Sequence, residues 1–353
     1  MIRVAVERQG AGFQERWIPA LERHGASPLP VDLRSPGILD ILRGVDAVMW
    51  HPWHHAADLQ LARRLLPILE RELHLPVFPN LRALQTFDDK IAQHYLFQAH
   101  QLPTPKTWVF WTRAEAGAWA AQARFPVVAK LASGAGSSQV RLIQNAREAG
   151  QWINAAFSRS GILAEDPFPR TMPAWEQTAR RLARRLRHAA CCAGAALTGR
   201  YPPLPREQWV PQKDVVYFQE FLAGNTHDTR VTVIGNRAFG YRRWNRPGDF
   251  RASGSGSIDH TPEAVDPRCL RLALEAAARI GNQSLACDIL QREGTGDPLL
   301  VEVSFGYVSR VVQECPGFWT PDLTWVPGSV WPEDAHVEDM LALIQQRRRS
   351  HTP

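Results

Sequence analysis

The sequence predicts a chain of α/β and α+β lobes, on three observations. Short apolar runs alternate with helical periods from the first residue onward, an apolar run ending in lysine opens onto a Gly/Ser-rich stretch, and three strand-like runs follow a proline-bounded, arginine-rich segment. At 353 residues the chain is long enough for two or three compact lobes.

The first 85 residues read as a Rossmann-like lobe. IRVAV (2–6), PLPVDL (28–33), VDAVMWH (45–51) and VFPN (77–80) are strand-like, with helical periods over 13–25, 38–44 and 57–73 between them. No GxGxxG follows the first strand, so no dinucleotide is assigned. Residues 86–157 form a small α+β lobe: a helix over 88–100, a PTP break at 103–105, strand KTWVFW (106–111), a helix over 113–123, then PVVAKLA (126–132), the glycine stretch, QVRLI (139–143) and a helix over 145–157. Residues 158–214 interrupt this rhythm and read as an insertion. Residues 215–310 supply strands at VVYFQEFL, TRVTVIGN, RAFGYRRW, SLACDILQRE and PLLVEVSF, with a helix over 266–281. The remainder, 311–353, is rich in Pro and Trp; it is expected to wrap the outside and end in a helix near 333–348.

Composition is that of a globular protein, 44% hydrophobic and 22% charged. No run of about 18 apolar residues is present and the N-terminus carries charge, which points to a cytoplasmic protein without a membrane span. Five scattered cysteines without CxxC spacing argue against a disulfide framework or zinc knuckle, and Cys191-Cys192 reads as helix packing. The net charge of +6 favours anionic partners without specifying nucleic acid. Much of it is local: Arg180, Arg181, Arg184, Arg185 and Arg187 share a helix whose other face carries Trp175, Ala179, Leu182, Leu186 and Ala190. That helix is either a packed lid with a solvated basic face or a docking surface for an anionic glycan intermediate or membrane leaflet through 175–190.

AKLASGAGSSQV (129–140) alone reads more readily as a hairpin turn than as a phosphate cradle. The rest of the chain tips the balance toward the cradle. Lys90 and Lys130 are placed to meet anionic phosphates, and Gly134, Gly136, Ser137 and Ser138 offer backbone N–H groups. Glu220, Phe221 and Leu222 form an extended edge suited to adenine, with Asp228 for ribose hydroxyls. Asp288 and Glu302, on neighbouring strands, suit magnesium, which takes oxygen ligands shared with substrate phosphates. The cluster WHPWHH (50–55), with His51, His54 and His55, is either a substrate-binding loop or a solvated one.

Taken in order, DDK (88–90), FPVVAKLASGAGSSQV (125–140), QEFLAGNTHDTRVTVIG (219–235), GDFRASGSG (248–256), ACDIL (286–290) and VEVS (301–304) resemble the ATP-grasp superfamily of carboxylate-amine ligases, over roughly residues 85–310. The likeness is to the branch with glutathione synthetases and ribosomal-protein glutamate ligases. It implies an ATP-grasp fold with an N-terminal Rossmann-like pre-ATP-grasp domain, ATP and Mg²⁺ (or Mn²⁺) as cofactors, and small-molecule carboxylate and amine substrates. Arg251 would face the transferred phosphate, with Arg230 and Arg243 as further candidates. The family usually places Asn two residues after the metal-binding Glu; here Ser304 stands there as the third metal residue. A chain that keeps the fold as a non-catalytic nucleotide-binding or regulatory protein is the alternative. Residues 304–319 and 323–334 resemble ATP-grasp proteins of bacterial polysaccharide gene clusters, and relatives of this kind are often homodimers.

Overall fold

The computed structural model describes residues 1–8, 12–54, 56–133, 140–162 and 211–350, together with scattered helical positions between 182 and 197. Its first sheet is parallel throughout, in the order β2-β1-β3-β4. The strands are β1 (Arg3–Glu7), β2 (Ser27–Val31), β3 (Ala47–Met49) and β4 (Val77–Phe78), connected by α1 (Gln14–Arg23), α2 (Ile38–Leu42) and α3 (Ala56–Pro67). Parallel pairing requires such crossovers, and it buries Val4, Ala5, Val6, Val48 and Met49 completely.

Helices α4 (Leu81–Thr86) and α5 (Lys90–Ala99) lead to a second, antiparallel sheet of β5 (Thr107–Phe110), β6 (Val127–Lys130), β7 (Val140–Ile143) and β8 (Val216–Glu220), in the order β5-β8-β6-β7. Helices α6 (Arg113–Ala120) and α7 (Ala146–Ala156) cover one face. Lys130 pairs with Val140 in register, so the glycine stretch does join two paired strands, although 134–139 lie outside the described residues.

The third sheet carries β9 (His227–Ile234), β10 (Arg237–Trp244), β11 (Ile258–Asp259), β12 (Ser284–Gln291), β13 (Pro298–Ser304), β14 (Gly317–Trp319) and β15 (Trp325–Pro327), in the order β13-β12-β9-β10-β14-β15 with β11 on β10. Helix α8 (Pro267–Ile280) packs one face. Its Leu270, Ala273, Ala277 and Ile280 meet Val231, Val233, Leu285, Cys287 and Val303, which alternate along their strands as a half-covered sheet requires.

The C-terminal segment corrects the expectation of an outer wrap. After α9 (Ser309–Gln313), β14 and β15 extend the third sheet, and α10 (Pro332–Ser350) is driven inward by its apolar face. Ala335, Val337, Met340, Leu341 and Ile344 share one core with Val4, Trp17, Phe78, Ile234 and Phe305, so α10 joins the first lobe to the third sheet.

The segment expected as an insertion leaves and returns at one point: Ile162 and Gln212 exchange backbone hydrogen bonds of 2.9 Å. The five arginines, Trp175, Ala179 and Cys191-Cys192 lie outside the described residues. Leu182 and Leu186 are helical but 59% and 64% exposed, so the apolar stripe finds no covering surface at those two positions.

Candidate active site

The open face of the third sheet carries the charge. In register, Tyr241, Arg230, Asp288 and Glu302 form one row across β10, β9, β12 and β13, and the Arg243–Asp228 pair forms a second row two residues along. Residues at i and i+2 share a face, so both rows look the same way, opposite to α8. A register shift between Asp288 and Ile289 leaves Val301 as the extra residue and bends β13 at this point.

These side chains pair as a network. Arg230 donates Nε and Nη2 to the two oxygens of Asp288 at 2.6 and 2.7 Å. Arg243 grips Asp228 in the same two-pronged way, at 2.8 and 2.5 Å, and reaches Asp288 Oδ2 at 2.9 Å. Burial pushes the Asp288 carboxyl up, but the two guanidiniums outweigh it and hold it below the usual carboxylate range. For Asp228, burial together with the charge of Asp288 outweighs Arg243 and shifts the pKa upward. Two consequences bear on the expected roles. Arg230 and Arg243 are partly or fully buried partners of these carboxylates, and both oxygens of Asp228 accept from Arg243.

Two lysines face this network. Asp89 caps α5 by accepting from the Ile91 and Ala92 amides, which sets Lys90 as the first helical residue, and its Nζ lies 3.2 Å from Glu302 Oε1. Burial lowers the Lys90 pKa, but Glu302, Asp88 and Asp89 outweigh it and raise it. Lys130 ends β6 and donates to Gln219 Oε1 at 2.7 Å. Burial, helped by Lys90 against the opposing charges of Glu302 and Asp288, lowers its pKa to about 8. Both lysines are 5% exposed or less, while the Glu302 side chain keeps 34% of its surface open.

Glutamines that the sequence reading passed over fix these groups. Gln219 Nε2 donates to Tyr217 Oη and Thr107 Oγ1, which orients its oxygen toward Lys130. Gln93 pairs with β13 like a strand, donating to the Val303 carbonyl and accepting from its amide, and so locks α5 beside Glu302. Gln212, at the neck of the insertion, accepts from the Ala132 amide, while the Ala132 carbonyl accepts from Lys90. The signal was in the sequence: Gln219 is a polar residue inside the apolar run VVYFQEFL, and Gln93 lies on the buried face of its helix.

The other expected residues are placed as follows. Glu220 turns its carboxylate to Arg292 at 2.9 Å and to the Lys106 amide, while β8 ends there and Phe221 and Leu222 run on along the cavity wall. Arg251 is held by Asp249 at 2.6 Å, with a long 3.5 Å contact from Nη1 to the Val140 carbonyl beyond the glycine stretch. Ser304 Oγ closes a turn with Gly306, accepting from its amide and donating to its carbonyl at 3.0 Å, which commits the hydroxyl locally. Gly134, Gly136, Ser137 and Ser138 lie outside the described residues.

All three parts border one cavity of about 1030 Å³. Its walls include Lys90, Lys130, Asp288 and Glu302 at one end and Phe13, His51, Trp53, Tyr307 and Trp331 at the other. His51 stacks on Phe13 at 4.2 Å and burial lowers its pKa to about 3, so it is neutral. His54 Nδ1 lies 3.2 Å from Asp88, and His55 lies outside the described residues. Beneath this wall, His336 receives Trp17 Nε1 at Nδ1 and meets Tyr307 Oη and Ser284 Oγ at Nε2.

Among the described residues no three His, Cys, Asp or Glu side chains converge as a metal site. The donor set nevertheless fits magnesium brought in with a polyphosphate. Asp288 and Glu302 are cross-strand neighbours at the cavity, and such an ion is commonly held through one or two carboxylates and the phosphates themselves. Among the described residues no helix is long and apolar enough to cross a membrane.

No protein-family model matches the sequence, and no curated protein sequence matches it. Solved structures do. An ATP-grasp RimK domain protein from Sphaerobacter thermophilus superposes over 96% of this chain and 99% of its own, at 15% identity and a TM-score of 0.53. The D-alanine–D-alanine ligase of Bacillus anthracis covers both chains fully, at 12% identity and a TM-score of 0.54. The N5-carboxyaminoimidazole ribonucleotide synthetase of Thermotoga maritima covers 97% of this chain and 76% of its own, at 12% identity and a TM-score of 0.60. Likeness at such identity is likeness of fold, and the fold is ATP-grasp.

Proposed function

We propose that the protein is an ATP-dependent ligase that activates a carboxylate and joins it to an amine, releasing ADP and phosphate. The observation that carries this reading is the meeting of two buried lysines, Lys90 and Lys130, with Asp288 and Glu302 on the wall of one cavity in an ATP-grasp fold. Bound Mg·ATP would supply the phosphoryl group that turns a carboxylate into an acyl phosphate, with Asp288 and Glu302 as the metal's protein ligands.

The chain's own part is positioning and charge. Lys90 and Lys130 neutralise phosphate oxygens from a buried wall, where an ammonium acts more strongly than in water. Phe221 and Leu222 line the adenine side, and Arg230 and Arg243 stand ready beside Asp288 to share its charge with the transferred group. Arg251, tied to Asp249 and to the strand after the glycine stretch, closes the same region. Ribose contact by Asp228 would require it to release Arg243. Ser304 serves the turn after β13, which leaves Glu302 as the more open of the two carboxylates.

That last point favours a second reading, a nucleotide-binding protein with a weakened metal site, because Asp288 is engaged by two arginines and Ser304 by Gly306. Release of ADP separates the two. Incubated with Mg·ATP, a panel of carboxylic acids and hydroxylamine as a generic amine, the ligase forms ADP and a hydroxamate with at least one acid. Mg·ATP binding without ADP from any acid supports the second reading. A cytoplasmic setting suits either, and a role in surface-polysaccharide biosynthesis is supported by the resemblance of residues 304–334 alone.

A further inference from the structure

The cavity wall also holds a carboxylate that none of the above uses. Glu333 stands on the first turn of α10 with 2% of its surface exposed. Its Oε1 accepts the Ser309 hydroxyl; Oε2 is buried and accepts no hydrogen bond among the described residues. Glu333 and Ser309 both border the cavity, as do Arg16 and Trp331. Arg16 lies over the Trp331 ring, 3.2 Å from its centroid, rather than donating to the free oxygen. Burial raises the Glu333 pKa, against the pull of Ser309, its own backbone amide and Arg16.

A carboxylate oxygen can only accept, and a buried one without a donor is costly. The donor has to come from the cavity. Ser304, next to Glu302, and Ser309 are five residues apart, at most about 18 Å of chain. One ligand of modest size therefore spans from the lysine end to Glu333.

We propose that Glu333 Oε2 is the docking point for a nitrogen cation, the ammonium or amine N–H of the second substrate. Ser309 fixes the carboxylate in one orientation and the Arg16–Trp331 stack forms the rim. This rests on the ligase reading for the identity of the ligand as the amine substrate. A charged donor is favoured over a neutral hydroxyl, because charge-assisted hydrogen bonds are the stronger kind.

The test uses two probes of equal length, n-butylammonium and n-butanol, titrated against the full chain by ligand-observed NMR. The wild type is expected to bind the ammonium about tenfold more tightly than the alcohol, and Glu333→Gln to lose that preference. Equal affinity for the two probes in the wild type overturns the proposal, and so does an unchanged preference in Glu333→Gln. Should that variant not fold, Ser309→Ala, which frees the carboxylate from its fixed orientation, is expected to weaken the preference, and an unchanged preference there overturns the proposal. Mg·ATP binding is measured on the same samples: its failure in the wild type overturns the ligase reading, while the ammonium preference still decides whether Glu333 holds a cation.

Discussion

Seven charged side chains meet where the third sheet faces α5 and β6, namely Lys90, Lys130, Asp228, Arg230, Arg243, Asp288 and Glu302. The wall that the first lobe contributes instead buries two neutral histidines, His51 and His336, among Phe13, Trp17, Phe78 and Tyr307. At the charged end each cation has an anion or a carbonyl oxygen within reach, and these partners can be traded for a phosphate. At the neutral end, burial removes the charge of both histidines, and the His336 ring is committed to Trp17, Tyr307 and Ser284. The difference separates a surface built for exchange from one built to hold the first lobe, the third sheet and α10 in fixed relation.

The comparison breaks most severely at Asp288. Asp288→Ala strands the buried Arg230 guanidinium and takes one of two carboxylate partners from Arg243, and denaturant melts are expected to show a loss of roughly 3–5 kcal/mol. A loss under about 1 kcal/mol would mean that the network is solvated and contributes no more than surface pairs do.

Next comes the pH response of the neutral end. Burial lowers the His336 pKa to about 3 from an unfolded value near 6.5. Between those values the unfolded chain binds more protons, so stability is complete above about pH 6.5 and falls as pH drops through that window. From pH 6.5 to 5 this group accounts for roughly 2 kcal/mol. Urea melts of His336→Gln should lose that part of the slope; an identical slope would show that His336 is not held neutral.

Lys130 sharpens the contrast from the other side. With its pKa lowered to about 8, its ammonium is lost as pH rises, so Mg·ATP affinity should fall about tenfold between pH 7 and 9. In Lys130→Met the affinity is low throughout and this dependence disappears. The smallest expected effect is at Ser304. Ser304→Ala removes the turn closure with Gly306 at about 1 kcal/mol, and Mg·ATP affinity measured by calorimetry stays unchanged if the hydroxyl serves the turn and not the metal.

How much of this was legible in the sequence follows from the kind of interaction involved. Periodicity placed the longer strands and helices, because alternation along β9 and β12 and the 3.6-residue repeat of α8 are written locally, and it passed over the short elements α4, α9, β11, β14 and β15. It misjudged the C-terminal segment, because what buries α10 is the first lobe, some 300 positions away in the chain, and no local pattern reports a partner. Motif order brought Lys90, Lys130, Asp288 and Glu302 to one cavity. It missed how they are held: Asp288 meets Arg230 only through the β9–β12 register, and Gln93 meets Val303 only through tertiary packing. The pairing of Arg230 and Arg243 was not legible because their acidic partners stand 58 and 15 residues away in the chain.

The central claim is that the lysine–carboxylate end of the cavity binds Mg·ATP, and calorimetric titration of the wild type and Glu302→Ala tests it most directly. The account predicts saturable binding that requires magnesium in the wild type and is abolished in the variant. No heat of binding in the wild type, or equal affinity in the two proteins, would contradict it.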